Sequence, residues 1–305
     1  MEHGNTDVTV VRQQDFECEG PIEISVEMGS GRLDVQLVEG AAGAGSVAVQ
    51  IRPDPPGQLP WAAGIGSLLT WLGEQTGTTQ PGELAAEAAR NTAIDFTGQR
   101  LFVSSPRDFP LRTVPLTIQV TAPAGSSIIA RSGSADIAVD GVADRFDAST
   151  GSGQVRAQRC TGAMDISTSS GHVGLGSALS GLRVRTGSGG VDVVSLEGAG
   201  SASTVQTGSG DVRIGAVEHD VSARTGSGDL TVVDASAGNI QLATGSGQLR
   251  VGIHPGVRAE VDVSSGSGRV RSDLTVGGPP VEGDVGLRVR ARTGSGDALV
   301  TSAPG

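Results

Sequence analysis

Apolar and polar residues alternate through most of this chain, and the alternation is broken at a nearly constant interval by a Gly-Ser-Gly turn or a close variant of it. Taking the residue before each turn as an anchor, the anchors are Ser132, Thr150, Thr168, Thr186, Thr207, Thr225, Thr244, Ser265 and Thr293. Their spacings are 18, 18, 18, 21, 18, 19, 21 and 28 residues. Two and four residues before the anchor the side chains are mostly apolar, as in Leu182 and Val184, Ile240 and Leu242, or Val289 and Ala291, with Asp147, Arg183 or Arg290 between such pairs. Five and seven residues past it the pattern resumes with Val155 and Ala157, Val191 and Val193, or Leu249 and Val251. A period of two on both sides marks half-buried strands. Each unit therefore reads strand, tight turn, strand, looser turn.

The anchor shares the parity of the apolar residues, so Thr150, Thr168, Thr186, Thr207, Thr225, Thr244 and Thr293 are expected to point inward as structural turn anchors. Stacked in chain order, the nine anchors would form an internal ladder of hydroxyls. Each would bond its own turn or its neighbour, offsetting the cost of burial. The glycines are expected to supply positive φ for a tight reversal. Short units that cannot bury their own face, repeated with no helix-length segment between them, define a solenoid. The expected fold class is all-β, a parallel β-solenoid (β-helix) of roughly 18-residue coils, with a short helical insertion near the N-terminal end.

That insertion organises the domains: 1–52 as N-terminal solenoid strands carrying an isolated copy anchored on Met28, 53–110 as the insertion, and 111–305 as the tandem array. Two short helices are expected in the insertion. In the first, Trp61, Ile65, Leu68, Leu69 and Leu72 recur at helical spacing with Trp71 beside them, and "PGELAAEAAR" forms the second. The first helix is the candidate interaction surface. It either caps an open solenoid end, whose strand edges would otherwise be unpaired, or meets a partner helix or a membrane interface. Its lack of basic residues counts against lipid contact and favours the cap. "TAIDF", "QRLFVSS" and "VPLTIQVTAPAG" then return to strand character.

Composition removes several functions. The chain has no lysine and all 22 basic side chains are arginine, which excludes a Schiff base and a phosphate loop ending in Lys-Ser/Thr. A net charge of -11 argues against nucleic acid and anionic bilayers. No aromatic residue follows Phe146, so the array lacks stacking surfaces for bases or sugars. The longest apolar stretch, Leu59 to Gly73, is too short to span a bilayer, and the start shows no secretory pattern, so a cytoplasmic location is expected. Cys18 and Cys160 fit neither a disulfide framework nor a zinc spacing and are expected as free, buried thiols.

Candidate chemistry is sparse. A phosphate cradle needs a helix after the loop, whereas a strand follows every turn here. Asp211, Asp229 and Asp297 follow their turns as calcium ligands would, but the same position holds Gln154, His172, Gly190, Gln248 and Arg269 elsewhere. Asp147 and Asp165, one coil apart in an outward row, are the best acid pair for a polysaccharide-active β-helix hydrolase or lyase, which lacks aromatic subsites here. His3, His172, His219 and His254 share no register, so no metal site or Ser-His-Asp device is supported and they are expected in turns or at the surface. Asp192 beside Arg213, and Asp229 beside Arg250, are expected as surface pairs. The arginines from Arg250 to Arg292 read as a solvated face diluted by acids.

The progression from "IEISVEMGSGRLDVQL" through "VPLTIQVTAPAGSSIIARSGSADIAV" to tandem "TGSGDV" units resembles the bacterial β-strand-repeat proteins labelled "putative adhesins", a domain-of-unknown-function family. The closing "VRSDLTV…LRVRARTGSGD" is similar to its soluble actinobacterial branch. The resemblance implies a parallel β-solenoid of either hand with no established enzymatic activity, some relatives being connected with cell-envelope stress. The expected protein is a non-enzymatic structural or protein-interaction module that binds a protein partner or itself, with no cofactor and no metal. The polysaccharide-active enzyme is the alternative.

Overall fold

A computed structural model describes residues 12–40, 45–54, 81–198, 201–274 and 285–304. The chain divides into two compact units, Met1–Asp140 and Gly141–Gly305.

The first unit holds β1 (Arg12–Cys18), β2 (Glu23–Met28), β3 (Gly31–Val38), β4 (Gly45–Pro53), α1 (Pro81–Asn91), β5 (Ala93–Thr97), β6 (Arg100–Ser104), β7 (Leu116–Pro123), β8 (Ser127–Ser132) and β9 (Asp136–Ala143), whose end passes into the second unit. One sheet runs β1-β4-β7-β3-β9 and the other β8-β2-β6-β5. Strands that carry the repeat pair in parallel: Met28 lies opposite Ser132, and Arg32 opposite Asp136. The Met28 copy is therefore not isolated in space, since it stacks directly on the coil of Ser132.

The second expected helix is α1, with Glu83 in its first turn and Arg90 in its last, the arrangement the helix dipole favours. It packs on β4 and β7, and its Ala88 and Ala89 are fully buried. Arg12 Nη1 donates to the carbonyls of Arg90 and Thr92, satisfying acceptors that the helix end leaves open. The first expected helix, with Trp61, Ile65, Leu68, Leu69, Trp71 and Leu72, lies outside the described residues.

The second unit contains β10 (Phe146–Thr150), β11 (Val155–Cys160), β12 (Met164–Thr168), β13 (Val173–Ala178), β14 (Leu182–Thr186), β15 (Val191–Leu196), β16 (Ser203–Thr207), β17 (Val212–Val217), β18 (Val221–Thr225), β19 (Leu230–Ala235), β20 (Gly238–Thr244), β21 (Leu249–Ile253), β22 (Ala259–Ser265), β23 (Val270–Ser272), β24 (Leu287–Thr293) and β25 (Ala298–Ser302). Each tight turn joins a strand of one sheet to a strand of the other. The apolar rows on both sides of the turn face the space between the sheets: Leu182, Val184, Val191 and Val193 are at most 3% exposed. All neighbours within these sheets pair in parallel, anchor opposite anchor, as in Thr168 with Thr186 and Thr225 with Thr244.

The coils do not stack in chain order at the end. The sheets run β10-β12-β14-β16-β18-β20-β24-β22 and β11-β13-β15-β17-β19-β21-β25-β23. The coil formed last in sequence, β24 and β25, is thus inserted between the coils of Thr244 and Ser265, and the expected order Thr244, Ser265, Thr293 becomes Thr244, Thr293, Ser265. Burial explains the exchange. Leu287, Val289, Ala291, Ala298 and Val300 are at most 2% exposed in the inserted coil, whereas Val261 and Val270 of the outer coil are 36% and 48% exposed. A coil with neighbours on both sides buries its inward row, so the greasier row takes that place and the poorer one stays at the end.

Candidate functional site

The turns carry the most repeated chemistry in the molecule. The seven anchor threonines of the second unit are all buried. Each hydroxyl accepts a hydrogen bond from the N–H of the glycine three residues on, at 3.0–3.2 Å. Thr207, Thr225, Thr244 and Thr293 also donate to the last turn glycine of the adjoining coil, for example Thr225 Oγ1 to the Gly210 carbonyl at 3.1 Å and Thr293 Oγ1 to the Gly247 carbonyl at 2.9 Å. One hydroxyl thus closes its own turn and ties it to the next coil.

The expected positive φ is found at Gly31 of the Met28 turn, where φ is 114°, but not in the tight turns of the second unit. In the second unit positive φ occurs at Gly141, Gly198, Gly238 and Gly256, outside the tight turns, and not at the Gly-Ser-Gly residues. What the tight turns require is proximity. A Cβ on Gly228 would lie 2.0 Å from the Gly210 carbonyl oxygen, and one on Gly247 would lie 1.8 Å from that of Gly228. The turns stack backbone on backbone, and glycine is the residue that leaves room.

The aspartates after the turns belong to the same device. Asp211 Oδ1 accepts from the N–H of Asp229 at 2.8 Å, Asp229 Oδ1 from that of Gln248 at 2.7 Å, and Asp297 Oδ1 from that of Arg269 at 2.8 Å. Each carboxylate satisfies a backbone donor of the next coil at the same position. Asp229 therefore stands level with Gln248, and Arg250 pairs in register with Thr231 rather than lying beside Asp229 as expected. Asp192 does sit in register with Arg213, but its Oδ2 is 3.1 Å from His172 Nε2.

Other candidates are scattered. Asp147 and Asp165 are register neighbours, and Asp165 faces Arg183 at 3.5 Å on its other side. Three of the terminal arginines face acids across strands: Arg288 with Glu260 at 3.3 Å, and Arg290 and Arg292 with Asp262 at 3.8 and 3.9 Å. Among the described residues no group of three or more His, Cys, Asp or Glu side chains could hold a metal ion. Cys18 and Cys160 are both free and buried, and burial pushes the Cys160 thiol up to about 11, which makes it a poor nucleophile at neutral pH.

His219 meets the turn expectation and adds burial to it. It stands in a turn, but it is only 6% exposed, and its Nε2 lies 2.8 Å from the hydroxyl of Ser203, itself fully buried. Its Nδ1 is buried with no hydrogen-bond partner of full geometry among the described residues. Burial holds the imidazole below the usual histidine range, against the opposing pull of Asp220, the Gly198 backbone and Glu218. The folded state keeps His219 neutral, so its contribution is fully present above the unfolded value near 6.5 and is lost as pH falls from there toward the lowered folded value. Urea unfolding of the wild type and of His219→Gln at about pH 7.5 and about pH 5 measures this. The wild type should lose its advantage over the variant on acidification, and a difference that does not change with pH would contradict it.

Where the repeat ends, unsatisfied surface appears. Among the described residues β22 pairs only with β24 and β23 only with β25, so both strands of this coil are edges. Their inward side chains are half-open, and Val270 lies on one edge and Val261 on the other.

Two parallel sheets joined by tight, hydroxyl-anchored turns define the second unit as a β-solenoid. The family model described as Toastrack DUF4097 matches residues 109–300, and the chain belongs to that family. Three solved structures are similar over nearly their whole length. One, described as a putative adhesin from Bacteroides fragilis, is 14% identical with a TM-score of 0.39, covering 95% of this chain and 97% of that one. A putative adhesin from Parabacteroides distasonis is 9% identical with a TM-score of 0.35, covering 94% and 97%. A putative lipid binding protein from the same organism is 11% identical with a TM-score of 0.39, covering 95% and 96%. No curated protein matches the sequence. Among the described residues no helix is long and apolar enough to cross a membrane.

Proposed function

We propose that this protein works without catalysis, as a solenoid module that binds other proteins and associates with itself. The observation that carries the reading is the outer coil of the second unit, which among the described residues presents two unpaired strand edges and the half-open side chains of Val261 and Val270. Such an edge is a ready template for another strand. The polar groups of the turns, which a catalyst would need free, are spent on holding coils together. A role in envelope stress enters only as the setting suggested by the family resemblance.

Light scattering across a wide concentration range tests self-association. The wild type should gain mass with concentration, and Val270→Lys, which places a charge on the open edge, should stay monomeric with its fold intact. A wild type that is monomeric throughout removes self-association from the proposal. Saturable turnover on a panel of polysaccharides would overturn the non-catalytic reading itself.

A further inference from the structure

The first unit contains a coil whose tight turn has been replaced. Beside the Met28 coil, β6 pairs with β2 and β7 with β3, so Ser104 lies opposite Glu27 and Leu116 opposite Gly31. Ser105 thereby takes the place of an anchor, and the two residues that link Met28 to Gly31 have ten counterparts, Pro106 to Pro115. The enlarged loop is fastened to the neighbouring turn. Ser105 N–H donates to the Glu27 carbonyl at 2.9 Å, Gly29 N–H donates to Ser105 Oγ at 3.2 Å, and the Arg112 carbonyl lies 2.8 Å from where a Cβ on Gly29 would stand.

Where regular turns close by stacking glycine on glycine, this loop leaves a solvent-open pocket of about 490 Å³ whose arginines are exposed. Arg107, Arg112 and Arg131 line it together with one carboxylate, Glu27. Arg107 is ion-paired to Glu27. Arg112 and Arg131 make no ion pair among the described residues, although Asp108 belongs to the same loop. The lining thus carries two more positive than negative charges in a chain of net charge -11. The Ser105 hydroxyl, already an acceptor for Gly29, has its proton to donate, and Met28 and Pro106 supply apolar wall.

The geometry points to a binding site for a phosphate group carried on a small organic body. Two guanidinium groups without an ion pair among the described residues offer the forked donors that suit phosphate oxygens, the hydroxyl adds a third donor, and the apolar wall receives the body. An open pocket of this size is within the range of small-ligand sites. The group could belong to a soluble phosphomonoester or to a lipid headgroup. This inference stands apart from the self-association proposed above, which uses the other unit.

Isothermal titration of the full chain with glycerol 3-phosphate, and co-sedimentation with phosphatidate or phosphatidylcholine vesicles, distinguish those sources. Saturable binding to glycerol 3-phosphate or to phosphatidate, the two phosphomonoester probes, is expected, weakened by about tenfold or more in Arg112→Gln with Arg131→Gln and reduced by added salt. Glu27→Gln, which removes the only carboxylate among the described lining residues and releases Arg107, should tighten binding several-fold. Arg213→Gln, in the second unit, should leave it unchanged. No binding to either probe, binding that survives the double substitution, or equal sedimentation with phosphatidylcholine would overturn the site.

Discussion

Gly228→Ala should destabilise the protein by about 3 kcal/mol or more, whereas Ser227→Ala, one residue away, should change it by about 0.5 kcal/mol or less. The added methyl carbon would meet the Gly210 carbonyl oxygen at 2.0 Å, its carbon at 2.5 Å and the Asp211 nitrogen at 3.0 Å. All three are backbone atoms, and none can rotate away. The carbonyl is held by Thr225 Oγ1, and the turn by the bond from Gly226 N–H to the Gly208 carbonyl at 2.8 Å. Relief therefore requires separating two coils whose strands are bonded in register on both sheets. Thr225→Val keeps the shape but strands the Gly228 N–H and the Gly210 carbonyl, and should cost about 2 kcal/mol. Urea melts of the three variants measure the ranking, and a Gly228→Ala protein as stable as the serine variant would show that the turns are not stacked this closely.

That glycine also marks the limit of what one repeat discloses. Period and parity placed Thr225 on the inward side and Val212, Ile214, Leu230 and Val232 in the core, because alternation reports which face is buried. They misassigned the glycines of the second unit, since the atom that forbids a Cβ on Gly228 belongs to another coil. The same applies to order. A motif tells that Ser265 and Thr293 each anchor a coil, but stacking is decided by which inward row is worth burying twice. The 28-residue gap before Thr293 and the thinner row of Val261 and Val263 were the available signals. The coil of β6 and β7 was legible as strands in "QRLFVSS" and "VPLTIQV", yet without a Gly-Ser-Gly turn it could not be recognised as a coil, and so its arginine loop went unread. The burial of His219 was missed because it comes from packing between turns, which carry no periodic pattern.

Ending the chain after Asp273 should cost on the order of 5 kcal/mol, from the lost burial of Leu287, Val289 and Val300 alone at about 1.5–3 kcal/mol each, partly offset by the freed entropy of the segment. The loss is not confined to the residues removed. β20 and β21 would lose their outer neighbours, and β22 and β23 would lose the strands they pair with. Thr244 and Ser265 are 21 residues apart, the same spacing that separates the stacked anchors Thr186 and Thr207, so the shortened chain is long enough to dock its outer coil directly on β20 and β21. The inward row argues against that rescue. Ser272 and the small Ala259 would stand where Val300 and Leu287 now fill the core. Hydrogen exchange on the shortened protein should find the amides of β22 and β23 unprotected and those of β14 to β17 unchanged. A peptide of residues 285–304 added in trans should restore protection to both sides of the gap at once, because it is bonded to β20 and β22 in one sheet and to β21 and β23 in the other. Full protection without the peptide would mean that the chain-order stack is as good a solution for this sequence as the inserted one.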